Sequence, residues 1–363
     1  MDQHNGVGLR AFGPQDEAAF AATRDDRQGR RFLPLIPGTT SDYTYAITAA
    51  GADHPAGGIE LSHLLPGRGA AEARFWVGPH ARRRGIATAA LRTLSERVFS
   101  GAPGMPRLQR VELLVHQDNP VAQRVALAAG YTREGERRGV LPAAGGGLVD
   151  ALVYARLAGD SGEPAERLLP DLPGGELTDG VVTLRPLGED DLAFYTELHH
   201  QPDVVATSVP PAPMPLERLR QRCAHAAAAW LAGTRADLVI VDTATGVRAG
   251  EIGLYYQEPP TGQAMIGYSM LPAFRGRGLT TRAAQLLALW VFAETGVARL
   301  IAGTLPENVG SQRVLEKAGF RREAYLRSRL PGMAGTRNDD VQFVLLAEDL
   351  LAQASGGKLT QPG

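Results

Sequence analysis

Two mixed α/β domains in tandem are what this sequence predicts, and three observations carry that reading. The chain has 363 residues, more than twice a typical domain length, so two separately cored domains are the default. A set of landmarks recurs once, in the same order, at a long offset. Within each copy, strand-like segments alternate with helix-like ones.

The recurrence is explicit in the residues. Leu9-Arg10-Ala11-Phe12 returns as Leu184-Arg185-Pro186-Leu187, 175 positions on. Arg82-Arg83-Arg84-Gly85-Ile86-Ala87-Thr88 returns as Arg275-Gly276-Arg277-Gly278-Leu279-Thr280-Thr281, 193 positions on. Asn119, Gln123-Arg124-Val125 and Ala129-Gly130-Tyr131 return 189 positions on as Asn308, Gln312-Arg313-Val314 and Ala318-Gly319-Phe320. A period this long marks duplicated domains, not a solenoid of short units. The boundaries read as a first domain over 1–157, a linker over 158–180, a second domain over 181–351 and a polar, fraying tail over 352–363. The linker has three prolines and five glycines and no sustained periodicity.

In the second copy, 181–187 reads as a strand, 189–199 as a helix and 216–231 as an alanine-rich helix. Strands follow over 238–242, 249–256 and 264–271, then a glycine-containing turn. Apolar residues at helical spacing mark a helix over 281–295. A short strand over 300–304, a helix over 310–318 closed by Gly319, and a last strand over 341–346 complete the copy. The first copy follows the same order with shorter helices near its start.

Composition excludes several function classes. The formal net charge is −1, which lacks the basic excess of non-specific nucleic-acid binding. No apolar run approaches the ~20 residues of a membrane span, and the N-terminus lacks the core of a secretory signal, so no membrane partner and a cytoplasmic location are expected. A single cysteine, Cys223, rules out an intramolecular disulfide, leaves no zinc cluster, and reads as a small buried helix residue. Adjacent His199 and His200 lack metal-ligand spacing and read as a helix end, so no metal site is expected. Lys317 and Lys358 are the only lysines; with abundant Ala and Gly, that arginine bias looks like a high-GC bacterial genome.

The turn at 270–279 carries the strongest chemical signal. An apolar strand runs through Met270 and Leu271 into Arg275-Gly276-Arg277-Gly278 and directly into a helix. Such a turn aims free N–H groups and the positive helix end at one point, which suits a phosphate. Glycine lets the backbone approach the anion, and Arg275 and Arg277 can add charge-assisted hydrogen bonds. The first copy offers Arg82, Arg83, Arg84 and Gly85 at the same place. A Walker A loop would need Gly-Lys-Ser/Thr, which is absent.

With these motifs, both copies resemble the Gcn5-related N-acetyltransferase (GNAT) superfamily, and the second resembles its ribosomal-protein N-terminal acetyltransferase (RimJ/RimL-like) branch. The resemblance spans about 7–157 and 181–351 and implies two tandem GNAT folds, each a mostly antiparallel sheet with one splayed strand pair and flanking helices. It further implies that the donor is acetyl-CoA or another acyl-CoA, with an acyl carrier protein thioester as an alternative. The donor's pyrophosphate would sit on Arg275 to Gly278, and in the first copy on Arg82 to Gly85, with Thr280, Thr281 and Asn308, or Ala87, Thr88 and Asn119, as further cofactor-binding residues. Its pantetheine would pair with Ser269, Met270 and Leu271, or with Trp76 and Val77. Thr280 stands where the family motif prefers Gly or Ala.

Acyl transfer to an amine needs a base, an oxyanion donor and an acid for the thiolate. Glu251, on the strand over 249–256, is the candidate base, its alternative being an exposed strand carboxylate. Glu60 and Glu72 are weaker candidates in the first copy. The tyrosine many family members place after the Asn landmark is missing, since Val314-Leu315 stands there. Ser311 remains, implied by the branch resemblance to lie near the thiol; helix capping is its alternative. Arg321, Arg322, Arg327 and Arg329 could face an acidic substrate or carrier protein, or form a solvated face. Ala122 and Gly58 replace Ser311 and Glu251 in the first copy, so turnover is expected mainly in the second. The expected activity is N-acylation of an amine, favouring a protein or peptide N-terminus. A small-molecule amine acetyltransferase and a non-catalytic coenzyme A-binding protein are the alternatives. Acceptor loops are expected over 27–40 and 201–215.

Overall fold

The structure, a computed structural model, describes residues 6–32, 43–49, 54–143 and 145–350. The tail at 352–363 and positions 33–40 of the first acceptor loop lie outside these. The chain divides into two compact units, Met1–Glu166 and Arg167–Gly363.

The first unit runs β1 (Val7–Ala11), α1 (Glu17–Asp25), α2 (Arg27–Phe32), β2 (Tyr43–Ala49), β3 (Gly57–Leu65), β4 (Ala70–Val77), α3 (Ile86–Ser100), β5 (Arg110–His116), α4 (Pro120–Ala128), β6 (Thr132–Pro142) and β7 (Leu148–Leu157). The sheet order is β1-β2-β3-β4-β5-β7-β6. All neighbours are antiparallel except β4 and β5, which pair in parallel only at Ala70↔Arg110, Ala71↔Val111 and Glu72↔Glu112. Beyond those three pairs the strands part, which is the splay the resemblance implies.

The second unit runs β8 (Leu177–Thr178), β9 (Val182–Pro186), α5 (Leu192–His199), α6 (Pro202–Thr207), α7 (Leu216–Leu231), β10 (Arg235–Asp242), β11 (Val247–Glu258), β12 (Gln263–Met270), α8 (Leu279–Glu294), β13 (Arg299–Thr304), α9 (Val309–Lys317), β14 (Arg321–Pro331) and β15 (Arg337–Leu346). Its order is β14-β15-β13-β12-β11-β10-β9-β8. Here too a single pair, β12 with β13, is parallel, limited to Gln263↔Arg299, Ala264↔Leu300 and Met265↔Ile301.

Both sheet faces of the second unit are covered. On one, Leu279, Ala283, Leu287 and Val291 recur at four-residue spacing on α8 and pack on Ile252, Leu254 and Ile266. Alanines at 283, 284 and 288 let the helix lie close, and each fully buried Leu or Val stabilises by roughly 1.5–3 kcal/mol. On the other face, Tyr195 and Leu198 of α5 and Leu219 and Cys223 of α7 pack on Val239 and Leu271. Cys223 is buried, as the sequence predicts.

The landmark Leu-Arg pairs build the same brace twice. Arg10 donates to both carboxylate oxygens of Asp16 at 2.7 and 2.6 Å, and Arg185 to those of Asp191 at 2.8 and 2.6 Å. Each carboxylate also accepts the N–H of Gly13 or Gly188. This bidentate pairing fixes the entry of the first helix in both units.

Three segments differ from the sequence reading. Part of the linker belongs to the second unit: Leu169 and Leu172 are buried in its core and the Trp230 indole N–H donates to the Pro170 carbonyl at 2.9 Å. Two apolar residues among prolines and glycines carry no periodicity, so burial escaped the pattern. β14 was hidden because it is a largely exposed edge strand rich in arginine. The loop over 201–215 contains the short helix α6. No helix among the described residues is long and apolar enough to cross a membrane.

Candidate functional site

The turn before α8 has alternating backbone conformation. Arg275 is extended at φ −71°, while Gly276 at 71° and Gly278 at 77° are left-handed, a region glycine enters without a Cβ penalty. Such alternation gathers successive N–H groups into a concave nest. The helical ladder opens with the Arg282 N–H on the Gly278 carbonyl at 3.2 Å, so the N–H groups of Leu279, Thr280 and Thr281 have no intrahelical acceptor. A Cβ built on Gly276 or Gly278 meets nothing within 4 Å, so both glycines border open space. The first unit repeats the geometry with Arg83 at φ 60°, Gly85 at 72° and the Ala89 N–H on the Gly85 carbonyl at 3.0 Å. Ala87 and Thr88 occupy the first turn of α3 as Thr280 and Thr281 do that of α8.

Three of the turn arginines have partners within the protein. Arg275 turns back onto the Met270 carbonyl at 3.0 and 2.7 Å and pairs with Asp203 of α6. Arg277 donates to Asp242 at 2.8 Å, its guanidinium 5.5 Å from the Phe274 ring centre. Arg82 likewise donates to the Val77 carbonyl at 3.1 Å and pairs with Asp26. The turn therefore offers backbone N–H groups, while these three guanidinium groups brace the protein. Arg83 and Arg84 are exposed.

The splay of β12 from β13 places polar groups on both sides of an open seam. Glu251 opposes Ser269, and Ile252 opposes Tyr268, across β11 and β12. Adjacent strand residues face opposite ways, so Glu251 and Ser269 share the face covered by α5 and α7, and Tyr268 faces α9. The Tyr268 hydroxyl lies 2.9 Å from Ser311 Oγ and donates to the Ser311 carbonyl at 3.1 Å. Burial pushes this phenol up to about 12, with the Ser311 hydrogen bond opposing. Asn308 caps α9 by accepting the Ser311 N–H at 3.1 Å, which leaves the Ser311 hydroxyl to Tyr268. Asn119 caps α4 in the same way, through the Ala122 N–H at 3.1 Å.

Glu251 is buried, not an exposed strand carboxylate. His199, the last residue of α5, puts Nε2 3.0 Å from Glu251 Oε1, and the Tyr195 ring packs edge-on against the imidazole with centres 4.4 Å apart. Behind them Arg222 of α7 donates to Asp237 at 3.0 Å and to the Tyr255 hydroxyl at 2.8 Å. Arg235 donates to the same Asp237 oxygen at 2.7 and 2.6 Å. Burial pushes the Glu251 carboxyl up, but His199 and then Arg222 outweigh it and hold it below the usual carboxylate range. Burial also raises Asp237, against Arg222.

Sequence reasoning missed His199, Tyr195, Arg222, Asp237 and Tyr268. One signal was readable: Tyr195 and His199 stand four apart on one helix and therefore share a face. Tyr268 sits two residues from Ile266 and Met270, so strand alternation places all three on one face.

The first unit differs at the matched positions. Gly58 opposes Trp76 and Ile59 opposes Phe75. The Trp76 indole, packed edge-on by Phe12 at 6.1 Å and Phe20 at 4.9 Å, lies over Gly58, where any Cβ would collide with it. Glu60 and Glu72 are both buried. Burial pushes the Glu60 carboxyl up, with Arg74 opposing; Glu72 accepts from Arg74 at 2.9 Å. Among the described residues no group of three or more His, Cys, Asp or Glu could hold a metal.

Comparison with known proteins accords with this geometry. A family profile described as an acetyltransferase (GNAT) domain matches residues 7–132 and again residues 182–321. A Bacillus subtilis (strain 168) protein described as "Probable N-acetyltransferase YjcK" is 43% identical over 67 residues, 18% of this chain and 37% of the relative. "Uncharacterized N-acetyltransferase YnaD" of the same organism is 36% identical over 84 residues, 23% of this chain and 49% of the relative. The chain thus spans less than half the length of either curated relative. Among solved structures, Mycobacterium smegmatis RimJ in complex with CoA-disulfide is 24% identical, with a TM-score of 0.44, over 51% of this chain and 94% of that one. With the profile matched in both units and over most of its length, the chain belongs to the GNAT acetyltransferase family.

Proposed function

We propose that the second unit transfers an acyl group from acyl-coenzyme A to an amine, favouring the α-amine of a peptide or protein. The observation that carries this is the seam between β12 and β13, with a buried carboxylate, Glu251, on one face and the Tyr268–Ser311 hydroxyl pair on the other. Acyl-coenzyme A would supply the activated thioester. Its diphosphate suits the open N–H nest at Gly276 to Thr281, with Arg275 as a brace and not a direct ligand. The exposed Arg83 and Arg84 could reach a diphosphate in the first unit. The strand edge at Ser269 to Leu271 would align the pantetheine arm.

The two faces divide the proton work. Glu251 receives protons from the attacking amine. Tyr268, neutral at physiological pH, gives its proton to the departing sulfur and is recharged through Ser311. A base held below the usual carboxylate range favours a weakly basic acceptor. An α-amine near ~8 is about 2.4 units easier to deprotonate than a lysine-like amine near ~10.4, about 3.3 kcal/mol.

The test is thiol release from acetyl-CoA, longer acyl-CoAs and a carrier-protein thioester, each offered with N-terminal peptides, polyamines and aminoglycosides. Peptide α-amines should give the highest kcat/KM with acyl-CoA. Faster turnover of a polyamine or aminoglycoside would move the reading to a small-molecule acetyltransferase; release with no acceptor would remove it. We also infer that each unit folds alone, so limited proteolysis should cut first in 158–168, ahead of the buried Leu169.

A further inference from the structure

On the sheet face that carries Glu251 and Ser269, the second unit has a stretch without side chains. Gly253 opposes Gly267 across β11 and β12, and the parallel register that ends at Met265↔Ile301 puts Gly303 level with Gly267 where the strands part. Gly267 and Gly303 are both exposed, and Gly267 is about 7 Å along β12 from Ser269. The result is a shallow trough beside the seam.

Asp340 of β15 stands at the far side of this trough. Val341, Phe343 and Leu345 pack in the core under α8, so strand alternation turns Asp340 to the Glu251 face. Its carboxylate lies over Gly303, where a Cβ would come within 2.7 Å of Oδ1. Asp340 is only 3% exposed. Arg329, itself half exposed, holds Oδ2 at 3.2 Å, while Oδ1 has no hydrogen-bond partner among the described residues. A buried carboxylate oxygen without a donor is costly, and a ligand that donates to it recovers that cost. Burial pushes the carboxyl up, with Arg329 opposing, so a second cation would favour the charged form.

We propose that Asp340 is a specificity-determining residue of the second unit, receiving through Oδ1 a lysine or arginine side chain that follows the acceptor's α-amine. This rests on the acyl-transfer reading above and deepens it by naming a second charge on the acceptor. The cation at Asp340 is not the nitrogen that reacts, because an ion pair stabilises the ammonium form and attack needs the neutral amine. Asp340 lies one strand beyond β13, about 5 Å across the sheet from the edge of the seam. A long basic side chain spans that distance from a backbone placed at the seam.

The first unit has no counterpart. Glu60 opposes Arg74 where Gly253 opposes Gly267, and Leu114 and Ala151 stand at the positions of Gly303 and Asp340.

The test uses the full chain, acetyl-CoA and two peptides that differ at one residue, beginning Ala-Lys and Ala-Gln, with the acylated nitrogen located by mass spectrometry. The wild type should prefer the lysine peptide in kcat/KM, chiefly through KM, and acylate its α-nitrogen. Asp340→Asn should shrink that preference about 10- to 100-fold. Gly303→Ala leaves every charge in place and should shrink it in the same direction, because its Cβ displaces Oδ1. Equal losses on both peptides, a preference unchanged in both variants, or acylation of the lysine side chain overturns the proposal. A wild-type chain that acylates neither peptide removes the peptide reading instead, and calorimetry with the lysine peptide blocked by acetylation at its α-nitrogen then decides. Weaker binding to Asp340→Asn than to the wild type supports the site; equal binding, or none to the wild type, overturns it.

Discussion

The two units share their turn and their brace and part company at the seam. Arg10–Asp16 and Arg185–Asp191 have matching bidentate distances, and the left-handed residues before α3 and α8 have matching φ values. Four seam positions differ in chemistry: Gly58, Phe75, Trp76 and Ala122 in one unit, Glu251, Tyr268, Ser269 and Ser311 in the other. The differences are mutually consistent. An indole at position 76 fits only over a glycine at 58, and a serine at 269 leaves room for a carboxylate at 251. The lesson is that a duplicated fold can keep the same glycine turn before a helix while one copy fills the matched sheet positions with aromatic packing. Binding and turnover can then be altered separately.

The largest effect should come from Glu251→Gln. It preserves shape but removes the carboxylate proposed as the base, so single-turnover acylation at saturating donor should fall by about 10²–10⁴-fold. A change at the seam of the first unit, Trp76→Phe at the position of Ser269, should leave that rate within about twofold if turnover belongs to the second unit. Quench-flow with radiolabelled donor distinguishes them, and the opposite pattern would reverse the roles of the units.

A smaller effect separates the two turns. Gly278→Ala meets no atom within 4 Å, so its structural cost is only the strain of a left-handed alanine, about 1–2 kcal/mol. On the anion-binding reading, its Cβ would hinder backbone approach to a diphosphate. Losing one N–H bond to a diphosphate costs about 1.5–3 kcal/mol, or roughly 10- to 150-fold in affinity. Calorimetry with coenzyme A should show two sites in the wild type and one tight site in either Gly278→Ala or Gly85→Ala. Unchanged titrations of both variants would sink the anion-binding reading.

The hydroxyl pair should contribute less again, because a thiolate leaves readily. Tyr268→Phe reproduces what the first unit already has at Phe75, and should slow acyl transfer by about 10- to 100-fold. Ser311→Ala should cost less, and the double variant no more than Tyr268→Phe alone, since the two act as one chain. Additive losses would show that the hydroxyls work independently.

How legible this was depended on the range of the interaction. The turn could be read because its strand, glycines and helix are contiguous, and the repeat because the landmarks survive side by side. The Glu251 network could not, because α5, α7, β10 and β11 contribute one or two residues each from positions 195 to 255. Tyr268 escaped for a different reason: the sequence directs attention to the helix after Asn308, whereas this hydroxyl reaches Ser311 from β12. The pairing of Arg275 with Asp203 and of Arg277 with Asp242 could not be read either, because each carboxylate is distant in sequence.

The smallest effect tests whether the units are energetically separate, and it follows from the shared brace. In Asp191, burial raises the carboxyl, but Arg185, the Gly188 N–H and Arg248 overcome it and lower it below its ordinary value. In Asp16, the Arg10 hydrogen bond leads and lowers it against burial. A carboxylate lowered in the folded state contributes stability that is fully present above its unfolded value, near ~3.9. That contribution is lost as pH falls through the folded value. Asp191→Asn should therefore destabilise at pH 7 by about 1–2 kcal/mol, allowing for solvent screening of its partly exposed arginines. Asp16→Asn should cost less, because Asp16 has one arginine partner where Asp191 has two. Both penalties should shrink as pH drops below about 4. In calorimetric scans each variant should move one unfolding transition and leave the other in place. If both transitions shift together in either variant, the two units unfold as a single cooperative block, and the separation of a binding copy from a working copy lacks its energetic basis.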